Sequence, residues 1–159
     1  MSSLRTGRHD VEITGGRAVL AGRIDETSQL AELAVQLPPG DVVLDAAGIT
    51  FVNSIGMRAW IRLIRALRER GTVTLEAVSD VLIVQMNLLA EFRGRVQIAS
   101  FHAGYVCPAC GRDAALLVDV ARHAAALREL RAPALPCPEC GAAMELADCP
   151  ERYLSIFVA

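Results

Sequence analysis

A repeated cysteine motif in the last third of the chain constrains the fold more than any other feature. Residues 107–111 and 137–141 both have the form Cys-Pro-x-Cys-Gly. Such a turn aims two sulfurs at one ion, because proline fixes its first half and glycine allows a positive φ beyond the second cysteine. Two turns supply the four thiolates of a tetrahedral site. The duplication predicts one metal ion bound by Cys107, Cys110, Cys137 and Cys140.

Zinc is the metal that this motif favours. A site closed by four sulfurs leaves no position for water or substrate, which is typical of structural Zn²⁺. The paired turns also resemble those of rubredoxin, in which iron carries electrons. Rubredoxins surround their iron with aromatic residues, whereas residues 111–136 contain none. Iron is therefore the alternative, and four cysteines without any metal are a third interpretation.

Other potential ligands lie near the motif but lack its spacing. Cys149 has no partner at a spacing of two residues, and His102 and His123 stand alone. We expect Cys149 to be structural and both histidines to be ordinary core or surface residues. All 5 cysteines lie between Cys107 and Cys149, which suits a reducing cytosol better than a disulfide framework.

Composition argues against several classes of function. No apolar run approaches the roughly 20 residues that span a bilayer, so we expect a cytoplasmic chain with no membrane partner. All 16 residues counted as Lys+Arg are arginines, which excludes a Schiff-base lysine and a phosphate-binding Walker lysine. Charges of both signs are mixed along the chain, so no basic face for nucleic acid is expected.

Hydrophobic periodicity predicts an α/β domain over residues 1–103. The predicted strands cover residues 11–14, 18–24, 42–44, 72–77 and 96–101, and the predicted helices cover residues 30–37, residues 55–70 and the segment that follows Ser79. Strands and helices alternate after an opening hairpin, which predicts a parallel or mixed sheet. The run 42–44 is continuously apolar, so it predicts a central strand buried on both faces.

Residues 104–159 are predicted to form a small zinc-ribbon domain. Residues 114–120 can form a strand, and residues 121–131 can form one or two helical turns. A metal ion would replace the hydrophobic core that so short a segment cannot build. We therefore expect an α/β domain followed by a metal-stabilised module.

Polar residues mark the expected helix starts. Asp25 or Thr27 can cap the first helix, Asn53 or Ser54 the second, and Ser79 the third. A helix N-terminus also stabilises a phosphate through its free amides and its dipole, so Ser54 can carry one without disrupting the fold. The residues alone are compatible with both roles of Ser54, as a cap and as a phosphoacceptor.

Residues 42–56 resemble the STAS domain of anti-sigma factor antagonists, in which a strand and a loop lead through Asp-Ser-x-Gly into a helix. Residues 22–25 look like the Gly-x-x-Asp sequence before that family's first helix, and Ser79 begins a helix where the family has Ser-Pro. Asn53 stands where the family usually has aspartate. The resemblance covers about residues 10–101 and implies a STAS-like mixed sheet with helices.

The resemblance also implies a site and partners. In that family a serine kinase that doubles as the anti-sigma factor phosphorylates the serine, and the unphosphorylated form binds that partner and frees the sigma factor. A phosphatase would be a further partner. Ser54 would be the phosphoacceptor, and the implied partner contacts are Asp25, Asn53, Ser54, Gly56 and Arg58. The implied function is non-catalytic signalling in a bacterium.

No catalytic constellation accompanies these features. The sequence offers no histidine-centred triad, no open metal site and no glycine-rich phosphate loop, so we expect no enzymatic activity. The alternatives are an electron-transfer module with iron at the cysteines and an assembly scaffold in which Ser54 stays unmodified. A homodimer is compatible with each of these interpretations.

Overall fold

The computed structural model describes residues 2–6, 9–92 and 95–158, with side chains described from Asp10 onward. Its strands are β1 (Ser2–Thr6), β2 (His9–Thr14), β3 (Arg17–Ile24), β4 (Val42–Val52), β5 (Val73–Glu76), β6 (Gln97–Ile98), β7 (Ser100–Val106), β8 (Asp113–Asp119), β9 (Leu135–Pro136) and β10 (Ala143–Leu146). Its helices are α1 (Leu30–Gln36), α2 (Ser54–Arg68), α3 (Asp80–Asn87), α4 (Ala124–Arg128) and α5 (Pro150–Tyr153), with 3-10 turns at Ala90–Phe92 and Ser155–Phe157.

The first six strands form one mixed sheet in sequence order, from β1 to β6. Strands β1, β2 and β3 pair antiparallel, whereas β3, β4, β5 and β6 pair parallel. Parallel neighbours need a connection that returns the chain to the same end of the sheet, and α1, α2 and α3 lie in those connections. The predicted α/β fold with a mixed sheet is confirmed.

One face of this sheet is more deeply buried than the other. In β4, Val42 and Leu44 are buried while Val43 and Asp45 between them are only half-buried. On the more open face, the guanidinium of Arg17 donates to the carboxylates of Asp45 and Glu76, at 3.1 and 2.6 Å. The prediction of a strand buried on both faces is therefore wrong, because a charged network lies on one of them.

Strand β4 is longer than the apolar run that predicted it. It continues to Val52 through Gly48, where an added Cβ would lie 2.6 Å from the Cβ of Ala21 on β3. The register between β3 and β4 shifts next to this contact, between Val19 and Ala21. Gly48 thus lets two parallel strands approach closely at an irregular pairing.

Two of the three predicted helix caps are present. Asn53 Oδ1 accepts a hydrogen bond from the Gly56 amide at 2.8 Å, and Ser79 Oγ accepts one from the Leu82 amide at 3.4 Å. The prediction that Asp25 or Thr27 caps the first helix is wrong, because α1 starts at Leu30 without a side-chain cap. The Asp25 carboxylate accepts bonds from the amide and hydroxyl of Thr27 instead, at 2.9 and 2.6 Å.

A second, antiparallel sheet has the strand order β8-β7-β10-β9. The strand predicted over residues 96–101 is split between the two sheets, since β6 ends the first and β7 belongs to the second. The predicted domain boundary at residues 103 and 104 falls inside β7. The His102 amide of this strand donates to the Val78 carbonyl at 2.7 Å, so β7 also bonds to the segment after β5. The division into two domains stays a prediction.

Asn87, the last residue of α3, binds the C-terminal segment. Its side chain is only 4% exposed. The amide Nδ2 donates to the Tyr153 carbonyl at 2.7 Å, and Oδ1 accepts from the Ile156 amide at 2.8 Å. The C-terminal segment is also joined to β7 by an aromatic contact, because the ring centroids of Phe101 and Phe157 lie 5.0 Å apart. One hydrophobic core therefore continues from the first sheet into the cysteine-bearing part.

Replacing Asn87 with alanine is expected to lower the free energy of unfolding by about 2–4 kcal/mol, because two buried backbone groups lose their partners. Urea unfolding followed by circular dichroism measures this change. Leu88→Ala is the matched control, since Leu88 is 63% exposed and its truncation should cost less than about 0.5 kcal/mol. Equal effects of the two substitutions would contradict the role assigned to Asn87.

Candidate functional site

Each cysteine motif forms a turn between two strands. Residues 107–112 join β7 to β8, and residues 137–142 join β9 to β10. In the first turn the Gly111 amide donates to the Cys107 carbonyl and the Cys107 amide donates to the Arg112 carbonyl, both at 2.8 Å. The second turn has the same two bonds at the equivalent positions. Gly111 and Gly141 have φ values of +77° and +76°, the left-handed conformation that the motif predicts.

The two turns bring the four predicted cysteines together. Their Sγ atoms all lie within 4.8 Å of one another. Two of the separations are 3.6 Å, between Cys107 and Cys140, and 3.7 Å, between Cys110 and Cys137. A tetrahedron with metal–sulfur bonds of about 2.3 Å has edges of about 3.8 Å, whereas a disulfide needs about 2.0 Å. The group can therefore hold a metal ion.

Hydrogen bonds in the turns lower the pKa of two of the cysteines. The Cys110 amide lowers the pKa of Cys107, and the Cys140 amide lowers the pKa of Cys137 to about 7. For Cys110 the Arg112 amide also lowers the pKa, but the bond with the Cys107 sulfur and burial outweigh it and raise the pKa to about 12. Cys107 and Cys137 are buried while Cys110 and Cys140 are exposed, so the site lies at the protein surface.

The other potential ligands lie outside this group. Cys149 is exposed, and its thiol donates to Glu151 Oε2 at 2.8 Å. His102 Nδ1 lies 3.1 Å from the Ala77 carbonyl, and His123 precedes the first residue of α4. Across the described residues, the four cysteines are the cluster with a metal-binding arrangement of cysteine, histidine or carboxylate side chains.

Ser54 lies at the carboxyl ends of β3 and β4. It is the exposed first residue of α2. The Asn53 amide donates to the Ile24 carbonyl at 3.2 Å, which holds the start of α2 against the end of β3. An added Cβ on Gly56 would lie 2.0 Å from the same Ile24 carbonyl oxygen. Glycine at this position is therefore required by the close approach of the helix to the strand.

Asn53 has a second contact that explains why asparagine suits this position. Its Nδ2 donates to Glu26 Oε2 at 2.7 Å while its Oδ1 caps α2. An aspartate at 53 could cap the helix but could not donate to Glu26. The pKa of Glu26 is lowered first by its own backbone amide and then by Asn53. A carboxylate therefore lies beside residue 53 even with asparagine there, and it belongs to Glu26 in the loop after β3.

The five predicted partner contacts are not equally accessible. Ser54 and Arg58 are exposed and Asn53 is half-buried. Gly56 is buried, and Asp25 is only 4% exposed, so neither offers a side chain to a partner. The pKa of Asp25 is lowered first by the Thr27 hydroxyl, then by the Thr27 amide, and also by Arg23. Asp25 and Gly56 shape the surface around Ser54 instead of contributing contacts to it.

Two residues beside the surface around Ser54 make contacts that the sequence did not predict. Glu26 is joined to Asn53 across a separation of 27 positions. The guanidinium of Arg23 lies 3.7 Å from the centroid of the Phe51 ring, which is a cation–π distance. Both contacts depend on the pairing of β3 with β4, so local spacing does not reveal them.

The sequence matches no model of a known protein family and none of the curated proteins. The resemblance to STAS domains therefore stays a prediction. Within the described ranges, no helix is long and apolar enough to cross a membrane.

We expect the purified protein to hold about one metal ion per chain, as a four-sulfur site requires. Cys137→Ser removes a buried ligand, so it should abolish most of the metal content and lower the melting temperature. Inductively coupled plasma mass spectrometry and differential scanning fluorimetry measure these quantities. Cys149→Ser is the matched control, because Cys149 is exposed and outside the group. Equal loss of metal in both variants would contradict the assignment.

Proposed function

We propose that this protein is a non-catalytic signalling protein that acts through protein contacts, as anti-sigma factor antagonists do, and that zinc stabilises its C-terminal part. One observation carries the proposal. Ser54 is exposed at the N-terminus of a 15-residue helix, at the carboxyl ends of two parallel strands. Ligands and partners of open α/β sheets commonly bind at that end of the strands.

Zinc in a structural role agrees with the chemistry of the four cysteines. Four sulfurs complete a tetrahedral shell, so the ion would have no open position for water or substrate. Its contribution would be to hold the hairpin of β7 and β8 against that of β9 and β10, since each hairpin supplies two ligands. The geometry alone also fits iron, which makes an electron-transfer module the second candidate.

Phosphorylation of Ser54 would act as an electrostatic switch. The first amides of a helix have no partner inside it, so the amides of Ser54 and Ile55 are available to a phosphate. The modification would add a charge of about −1.5 to −2. Arg58 is exposed one helical turn later, within reach of a pair at spacing i, i+4. Glu26 lies on the other side, bonded to Asn53, and would repel the phosphate from that direction.

The partners in this proposal are a serine kinase that serves as the anti-sigma factor and a phosphatase, in the cytoplasm. They would bind the surface formed by Asn53, Ser54 and Arg58. The buried Asp25 and Gly56 would stabilise the backbone beneath that surface. Addition or removal of a single phosphate at the centre of that surface would change its charge without a change of fold. An assembly scaffold that never carries the phosphate would use the same surface for a constant partner.

Metal analysis separates zinc from iron. Protein purified from cells grown in ordinary medium is expected to contain about one zinc ion per chain, as structural four-cysteine sites do, and to be colourless. Elemental analysis and an absorption spectrum give both results. A red protein with stoichiometric iron would replace the structural role with electron transfer, and it would leave the proposal for Ser54 untouched.

Ser54 is expected to carry a phosphoryl group in part of the protein isolated from its own organism. Intact-mass and peptide mass spectrometry should find that group on Ser54, lose it in Ser54→Ala and keep it in Thr50→Ala, a control residue exposed on the neighbouring strand. Affinity capture with Ser54→Asp should recover at least tenfold less of a kinase-like partner than capture with the unmodified chain, which corresponds to about 1.4 kcal/mol.

Two outcomes would count against the switch. Unphosphorylated Ser54 under all growth conditions, together with the same partners for Ser54→Ala and Ser54→Asp, would identify a scaffold. Capture of no kinase-like protein would remove the comparison with anti-sigma factor antagonists.

A further inference from the structure

A groove of about 420 Å³ lies between α1 and α2. Its lining is mostly apolar, and both helices contribute alanines to it. The alanines are Ala31 and Ala34 on α1 and Ala59 and Ala66 on α2. Leu63 of the core and Arg62 at the surface complete the α2 side. The volume lies in the usual range for binding pockets, about 300–1,000 Å³.

Two large apolar side chains are exposed on the helices that form this groove. Val35 is 83% exposed and follows Ala31 by one helical turn. Ile55 is 53% exposed and precedes Ala59 by one turn. Residues spaced by four positions lie on the same side of a helix, so each side chain extends the alanine row of its own helix, and we call the groove with these two side chains the apolar strip. Exposed apolar strips of this kind commonly bind a partner.

The charge beside the strip has one sign on α2. That helix contains Arg58, Arg62, Arg65 and Arg68 and no acidic residue. Arg65 pairs with Glu91. Among the residues that the structure describes, Arg58, Arg62 and Arg68 have no ion-pair partner. Glu32 on α1 and Glu69 after α2 are the exposed acids of these two helices, so the basic side of the strip is the α2 side.

We propose that the groove between α1 and α2 binds an acidic amphipathic helix of a partner protein. Apolar side chains of that helix would fill the space over the alanines, and its carboxylates would pair with Arg58 and Arg62. Helix α1 has 7 residues and so a length of about 10 Å, which allows contact with roughly two turns of the partner helix at positions i, i+3, i+4 and i+7.

This surface shares Arg58 with the one around Ser54, but its use does not require a phosphate or a metal ion. Arg58 lies between the two surfaces, one turn after Ser54 and one turn before Arg62. The groove would therefore bind its helix in a protein whose Ser54 is never modified, so the two proposals can fail separately.

A pair of designed peptides tests the proposal. Each is a fluorescein-labelled helix of about four turns with leucines at i, i+3, i+4 and i+7, flanked by glutamates in one peptide and by lysines in the other. Fluorescence anisotropy with the full chain should show at least tenfold tighter binding of the glutamate peptide. Chemical-shift changes in a ¹⁵N spectrum should fall on residues 28–36 and 55–66.

Two substitutions, each with a control, separate the apolar from the electrostatic contribution. Ala31→Gln places a longer neutral side chain in the groove and should weaken binding at least tenfold, while Ala125→Gln on the exposed side of α4 should not. Arg62→Glu should weaken binding of the glutamate peptide at least tenfold, while Arg122→Glu should not. All four positions have side chains exposed to solvent, so the variants are expected to fold, and circular dichroism checks this.

Four results would overturn the proposal. Equal affinity for both peptides, or no effect of Ala31→Gln, would show that the groove is not an acidic-helix site. Arg62-dependent binding to vesicles of phosphatidylcholine and phosphatidylglycerol, with no peptide binding, would assign the strip to an anionic membrane surface. Self-association by light scattering that Ala31→Gln abolishes would assign it to a second copy of this chain.

Discussion

The buried amide of Asn87 holds two parts of this protein in one arrangement. A side-chain amide in the core has to satisfy its donors and its acceptor, because each unpaired polar group costs about 1–3 kcal/mol. Asn87 does so with backbone groups of its own helix and of the C-terminal segment. Strand β7 adds backbone bonds to the segment after β5. The position of the cysteine group relative to the first sheet follows from these bonds.

Local rules were sufficient where a feature depends on a few neighbouring residues. The opening hairpin, the cap at Asn53 and the two cysteine turns each follow from spacing and backbone preference. The four sulfurs could be placed at one site because each turn orients its own pair. The positive φ of Gly111 and Gly141 was predicted for the same reason.

Local rules failed where distant contacts decide the outcome. Asp25 has the residue type of a helix cap, yet its carboxylate is occupied by Thr27. Residues 96–101 predict one strand because the run is short and mostly apolar, whereas the structure separates β6 from β7 at Ala99 and places them in different sheets. The Asn53 bond to Glu26 and the stacking of Arg23 on Phe51 depend on how β3 and β4 pair. Local residue spacing in a single sequence does not reveal the register between two strands that are distant in the chain.

Strand β7 belongs to the second sheet but also bonds to the segment after β5, so backbone hydrogen bonds join the two parts of the chain. Phe101 is fully buried, and Phe157 from the far end of the chain lies against it. Tyr153, Leu154 and Ile156 are buried as well. A fragment ending at residue 103 would therefore expose part of the core that α3 and Phe101 build. The C-terminal part of the chain covers the core of the first sheet beside α3. A chimaera that receives this part from another protein would therefore also need the α3 that packs against it.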